Sequence, residues 1–237
     1  MLLRGAAGEL LPTLGAASWN LGLLPYQVAS GRVRVSRGPR FVFCKEAHPL
    51  VASGQLPPSS TTELMGTDEF VRRLCAPRGT RGDERVYMQT DVPPPLLRAL
   101  KETPPFWRAL GVRGAEAQPM RLWVSARGAV SPLHYDAAGS FLAQARGTKR
   151  LLLFPPSVTP ALYPYPPDHP QHRRSRVDLY APPELIAARF PRFVAEAVPA
   201  ALEATLAEGD VLFLPAGWWH HVETCSPLSF SVGCRYV

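Results

Sequence analysis

The sequence predicts a single mainly-β domain, an all-β barrel or jelly roll with helical decoration at its N-terminal side. Three observations carry that expectation. The chain has 237 residues, 46% of them apolar, enough for one large core. It carries 27 prolines, which exclude a long helical bundle and suit short strands joined by turns. From residue 119 onward, short β-type segments follow one another at close spacing.

The elements follow in chain order. Residues 1–16 are expected to form a short amphipathic helix with Leu2, Leu3, Leu10 and Leu14 on one side. Residues 31–44 alternate apolar and polar in two bursts, which predicts two strands about a turn at Gly38-Pro39. Residues 60–75 open on a Ser/Thr cluster of N-cap type and place Phe70, Val71 and Leu74 at helical spacing, which predicts a helix. RVYMQT (85–90) reads as a strand, and 94–110 as one or two short helices with a proline break. MRLWVS, SPLHYD, SFLAQARG, KRLLLFPP, DVLFLP, WWHHVET and LSFSVGCRYV then read as strands. Residues 163–207 interrupt them, Pro-rich at first and Ala-rich later, as an insertion between strands of one sheet system. One domain over 1–237 results, with 1–118 as N-terminal helices and strands and 119–237 as barrel core.

Charge and cysteine narrow the classes. Lys+Arg is 26 against 19 Asp+Glu, a surplus of +7. Only Lys45, Lys101 and Lys149 are lysines, and the many arginines are scattered without interleaved aromatics. With abundant Ala, Gly and Pro this reads as a coding bias, and nucleic acid is not indicated. The cysteines, Cys44, Cys75, Cys225 and Cys234, form no CxxC pair and suit a reducing compartment, cytoplasmic or nuclear. No apolar run is long enough to span a bilayer. The N-terminal leucines leave only an organelle-targeting helix open.

The chemistry lies in the histidines. In His134-Tyr135-Asp136 the first and third residues of a strand share a face, so imidazole and carboxylate aim at one point. His220-His221, in a second strand-like segment, offers a third ligand. Two histidines and a carboxylate form the facial triad of non-haem Fe(II) oxygenases, with open positions for a chelating cosubstrate and O₂. Singly, an HxD pair is mostly chance and an HH pair mostly packing. Together, each after a turn (Ser131-Pro132, Ala216-Gly217), they favour a metal site. Alternation leaves the choice between His220 and His221 open, since the two face opposite ways. Lys149 opens the strand after the HxD hairpin. An inward ammonium in an apolar barrel suits a carboxylate, whereas the bland reading is an exposed strand-end lysine.

SPLHYDAAGSFLAQARGTKRLLLFPP followed by EGDVLFLPAGWWHHVET resembles the JmjC branch of Fe(II)/2-oxoglutarate oxygenases. More narrowly it resembles the asparaginyl hydroxylases of hypoxia-inducible factor. LYPYPPDHPQHRRSRVDL is similar to the insertion of those enzymes, and ASWNL, RFVF, TDEFVRRL and ERVYMQ match in order, so about residues 17–237 are covered. The resemblance implies a cupin-like double-stranded β-helix with Fe(II) on His134, Asp136 and His220. It implies 2-oxoglutarate with its far carboxylate on Lys149, Tyr87 and Ser131, walled by Trp123 and Leu142, with Ser140 nearby. It implies oxidative decarboxylation of 2-oxoglutarate coupled to hydroxylation of a substrate C–H bond, on an asparaginyl or aspartyl side chain of a protein or peptide, ankyrin-repeat-like or acidic.

The substrate positions depart from that pattern. Where the asparaginyl hydroxylases have a Gln beside an Arg, this chain has Arg173-Arg174, and an arginine accepts no hydrogen bond from a carboxamide. Ala138, Phe43, Gly233, Arg235 and Ser140 stand where those enzymes have Gln, Tyr, Asn, Trp and Asn. Arg173, Arg174, Arg235 and Gln89 are the expected substrate-facing residues, and arginines at the mouth suit an acidic target. Those enzymes also dimerise through helices after the barrel, and ending at Val237 leaves that route out and the oligomeric state open. Three alternatives stand beside this reading: a JmjC hydroxylase of Lys, Arg, His or a tRNA base; a catalytically silent JmjC binding module; and a 2-oxoglutarate-independent cupin. Intact His134, Asp136, His220 and Lys149 argue against the silent module, and Lys149 with Tyr87 against the last. Lysine demethylation is set aside because that class usually travels with chromatin-reading modules.

Overall fold

A computed structural model describes residues 1–6, 19–77, 84–92, 94, 97 and 119–236. Among them twelve strands form two antiparallel sheets. They are β1 (Leu2–Leu3), β2 (Ser30–Ser36), β3 (Ser60–Gly66), β4 (Arg85–Asp91), β5 (Arg121–Ala126), β6 (Val130–Tyr135), β7 (Gly139–Arg146), β8 (Lys149–Phe154), β9 (Leu202–Leu206), β10 (Val211–Leu214), β11 (Trp219–Thr224) and β12 (Leu228–Tyr236). The larger sheet runs β1-β10-β7-β12-β5-β4-β2-β3 and the smaller β9-β8-β11-β6. From β5 to β12 the chain passes back and forth between the sheets, which makes the mainly-β double-stranded β-helix.

Strand alternation explains how the layers pack. Val33, Val35, Met88, Leu122, Val124 and Val232 share the outer face of the larger sheet and bury against Trp19, Leu24 and Phe70. Leu133, Phe154 and Trp219 share the outer face of the smaller sheet and bury against Leu162, Phe193 and Ala197 of the 156–200 segment. The inner faces are more polar. Ser231 Oγ donates to Gln144 Oε1 at 2.8 Å, Gln144 Nε2 donates to Ser229 Oγ at 2.8 Å, and the Ser125 and Thr224 hydroxyls pair at 2.8 Å. These five buried polar side chains thus satisfy one another. Gly147, at φ 79°, turns β7 into β8 where a Cβ would strike the Leu228 carbonyl, so only glycine fits there.

Several expected elements differ. Leu2 and Leu3 are not helical; they pair with Leu212 and Val211 at the sheet edge. Residues 60–66 form β3, paired with β2 from Ser30↔Gly66 to Ser36↔Ser60. The expected helix begins only at Thr67 and runs to Cys75 (the third helix, α3, after α1, Leu24–Gln27, and α2, Pro49–Ala52). Acids at its start (Asp68, Glu69) and bases at its end (Arg72, Arg73) complement the helix dipole. The second burst, 41–44, is not a strand; Phe41 N donates to Val130 O at 2.8 Å beside a single bridge from Arg40 to Val130. The insertion is shorter than expected, because Leu202–Leu206 pair with Leu153–Lys149 as a barrel strand. It holds α4 (Pro183–Arg189) and short turns of helix up to Ala200. The helices expected at 94–110 lie outside the described residues. Among the described residues no disulfide forms and no helix is long and apolar enough to cross a membrane.

Candidate metal centre

The smaller sheet carries the site. His134 on β6 and His220 on β11 are direct cross-strand partners, and His220 also faces Leu153 of β8. Their rings lie 4.1 Å apart between centroids. Asp136 follows β6, and one ligand atom from each of His134, Asp136 and His220 lies within 4.8 Å of the others. Register decides what alternation left open. His220 points into the barrel with Val222 and Thr224, whereas His221 faces outward, its Nε2 3.5 Å from the Tyr180 hydroxyl.

A bulge completes the arrangement. His220 pairs with His134 but Val222 pairs with Ser131, so β6 has one more residue than β11 between those pairs. Residues 131 and 134 would face opposite ways on a regular strand. The extra residue brings both onto the inner face.

The three side chains suit a cation. His134 Nδ1 donates to Pro132 O at 2.8 Å and His220 Nδ1 donates to Trp218 O at 3.1 Å. A carbonyl only accepts, so each ring carries its proton on Nδ1 and leaves Nε2 free as a ligand. Burial holds both imidazoles below their ordinary range, His134 additionally by the neighbouring His220 and Arg174. Arg235 Nη2 donates to Asp136 Oδ1 at 3.2 Å. Two neutral imidazoles and one carboxylate converging from two strands fit a divalent first-row ion.

The residues expected to hold a cosubstrate line the same barrel. Lys149, Leu151 and Leu153 share the inner row of β8, and Lys149 is 2% exposed. Among the described residues its ammonium has no ion-pair partner, and it lies 5.8 Å from the centroid of the Tyr87 ring. Burial alone lowers its pKa to about 7. The buried Tyr87 hydroxyl hydrogen-bonds Ser131, and burial pushes the phenol well above its usual range. A buried ammonium with no ion-pair partner, on the same inner surface as the hydrogen-bonded Tyr87 and Ser131 hydroxyls, fits a carboxylate such as that of 2-oxoglutarate. Trp123 and Leu142 share the inner face of the larger sheet with Tyr87 and Gln89. Trp123 lies against Gly233, where a Cβ would sit 2.6 Å from its Cζ3. Gly233 is therefore space for the tryptophan.

The mouth is only partly as expected. Arg174 bridges to His134 through its backbone, and its Nε donates to Phe43 O at 2.8 Å. Arg173 is left-handed at φ 67° and gives its carbonyl to Tyr135 N. Arg235 is engaged with Asp136 rather than facing outward alone. Ser140 is its cross-strand partner. Gln89 accepts from Arg34 Nε at 3.3 Å. Arg34, 8% exposed, was not anticipated, and nothing in SGRVRVS marks it as inward. The Pro132 and Trp218 carbonyls were missed for the same reason, since backbone partners leave no residue signature.

Residues 55–236 match the family model of the cupin-like domain. The chain is 38% identical over 128 residues to human HSPB1-associated protein 1, covering 53% of this chain and 25% of that protein. It is 32% identical over 174 residues to zebrafish lysine-specific demethylase 8, covering 72% of this chain and 40% of that one. It is 33% identical over 121 residues to Arabidopsis thaliana lysine-specific demethylase JMJ30, covering 51% and 26%. The chain thus belongs to the cupin-like family, in its JmjC branch. It spans between a quarter and two fifths of the length of these relatives.

Proposed function

We propose that this chain is an Fe(II)- and 2-oxoglutarate-dependent dioxygenase that hydroxylates a side chain of a protein or peptide. One observation carries the reading: a His134/Asp136/His220 cluster and an unpaired, buried Lys149 ammonium occupy the inside of one barrel. When bound, iron would supply the chemistry by which O₂ gives one oxygen atom to 2-oxoglutarate, yielding succinate and CO₂, and the other to a substrate C–H bond, yielding C–OH. The protein's own residues do the rest. Pro132 and Trp218 hold the imidazole tautomers. Lys149, Tyr87 and Ser131 bind the far carboxylate of the cosubstrate. Trp123 and Leu142 exclude water and strengthen those contacts.

Lysine demethylation is the second reading, because two of the relatives above carry that name. The argument from missing chromatin-reading modules has no force against it, since the chain spans only part of those proteins. The mouth argues the other way: Arg34 and Arg174, neither ion-paired among the described residues, make it cationic and repel a lysyl ammonium. An aspartyl target on an acidic polypeptide is the reading that the cationic mouth favours, whereas an asparaginyl or ankyrin-repeat-like target rests on the resemblance to the asparaginyl hydroxylases alone. A cytoplasmic or nuclear site belongs to the same proposal. The test is succinate formation with Fe(II) and 2-oxoglutarate, alone and with Asp-, Asn- and methyl-lysine-containing peptides, for wild type and His134→Ala. Wild-type turnover that His134→Ala abolishes, with a mass gain of one oxygen on the peptide, supports the reading. Loss of a methyl group would move it to demethylation, and no succinate under any condition would leave a silent module.

A further inference from the structure

Two arginines meet one aromatic ring beside the metal centre. The guanidinium carbon of Arg34 lies 4.8 Å from the Phe43 ring centroid and that of Arg174 5.4 Å. Phe43 itself is 40% exposed, so the group opens to solvent. Arg174 is bridged to His134, which ties the group to a metal ligand.

These charges are uncompensated. Arg34 is 8% exposed, yet its one hydrogen bond here goes to neutral Gln89. Arg174 donates Nε to the Phe43 carbonyl. Among the described residues neither forms an ion pair. Glu46, an exposed residue, attracts Arg34 from a distance, and Asp136 attracts Arg174 while paired with Arg235. Arg32 and Arg173 add like charge. A guanidinium does not escape burial by losing its proton, so the desolvation penalty stands until an anion arrives. Each fork keeps four further N–H donors, in a geometry that matches a carboxylate.

We propose that Arg34 and Arg174, set against Phe43, form a carboxylate clamp that selects an acidic side chain of the polypeptide substrate. The proposal rests on the protein-hydroxylase reading for the word substrate, though not for the clamp itself. A peptide is the favoured source of the carboxylate because Lys149, Tyr87 and Ser131 already provide for the cosubstrate. A carboxamide gains no charge-assisted bond here, and a lysyl side chain meets repulsion.

The test uses fluorescein-labelled short peptides, identical except for one central Asp, Glu, Asn or Lys. Binding is followed by anisotropy with and without Mn(II) and 2-oxoglutarate, for wild type, R34Q, R34K and R174Q. Affinity for 2-oxoglutarate is measured in parallel by tryptophan fluorescence. The Asp or Glu peptide is expected to bind about tenfold or more tighter than the Asn peptide, with Lys weakest. R34Q and R174Q are each expected to remove most of that preference, R34K to restore only part, and 2-oxoglutarate affinity to stay within about twofold. Melting curves show whether buried R34Q still folds; if it does not, R174Q carries the test. Equal binding of Asp and Asn peptides to wild type overturns the proposal. So does a preference that survives R174Q, or a variant that loses 2-oxoglutarate instead, which would give the carboxylate to the cosubstrate. An acidic preference in a protein that binds neither Mn(II) nor 2-oxoglutarate would keep the clamp and remove the oxygenase reading.

Discussion

Replacing Lys149 by methionine separates what the barrel needs to fold from what it needs to bind. Lys149 is buried, and burial alone brings its pKa to about 7 from an ordinary 10.5. Its folded pKa lies below its unfolded value, so between those values the unfolded chain holds the extra proton. Stability therefore rises with pH across that window, and the deficit is full below about pH 7. At 1.36 kcal/mol per unit the deficit is about 4 kcal/mol at pH 7 and about 1.4 kcal/mol at pH 9.5. Lys149→Met removes it. Denaturant melts of the ligand-free protein are expected to show the variant more stable than wild type at pH 7, by several kcal/mol, with the gap narrowing by about 3 kcal/mol at pH 9.5. The binding consequence is opposite. Millimolar 2-oxoglutarate is expected to raise the melting temperature of wild type and leave the variant unmoved. Wild-type affinity is expected to fall about tenfold per pH unit above 7, as the ligand-free ammonium empties. A variant less stable than wild type at pH 7, or one still protected by 2-oxoglutarate, would refute the reasoning.

Three further outcomes follow from the same geometry. His220→Ala is expected to abolish binding of Co(II), read by its visible absorption, while His221→Ala retains it, because only His220 faces His134. Tyr87→Phe removes one hydroxyl of the cradle and is expected to weaken 2-oxoglutarate several-fold without changing metal affinity, both read by titration. Gly233→Ala puts a Cβ 2.6 Å from Trp123 Cζ3; a loss of about 1–3 kcal/mol in denaturant melts and a shifted tryptophan emission are expected.

The barrel was legible from residue 119 because short segments rich in β-branched, aromatic and leucine residues follow one another at close spacing between turns. His134, Asp136 and Lys149 were legible because their residue types are out of place in such strands. The Ser60–Thr62 cluster misled because the same residues cap helices and, when β-branched, favour strands. Pairing with β2 over seven residues decided for the strand. The choice of His220 over His221 needed a register, and the shared face of Ser131 and His134 needed a bulge that spacing does not announce. Strand β9 was hidden in an Ala-rich stretch whose partner lies some fifty residues earlier, on β8. Arg34 was invisible because its burial is created by Phe43 and Gln89, which arrive from other segments.

The central claim is that His134, Asp136 and His220 hold iron in the barrel where Lys149 holds 2-oxoglutarate. Its most direct test is an anaerobic titration of the protein with Fe(II) and then 2-oxoglutarate, followed by visible absorption. A charge-transfer band from the iron chelate is expected with wild type, absent from His134→Ala and requiring far more 2-oxoglutarate in Lys149→Met. A wild-type protein that develops no band at any concentration of either, or a band unchanged in His134→Ala, would contradict it.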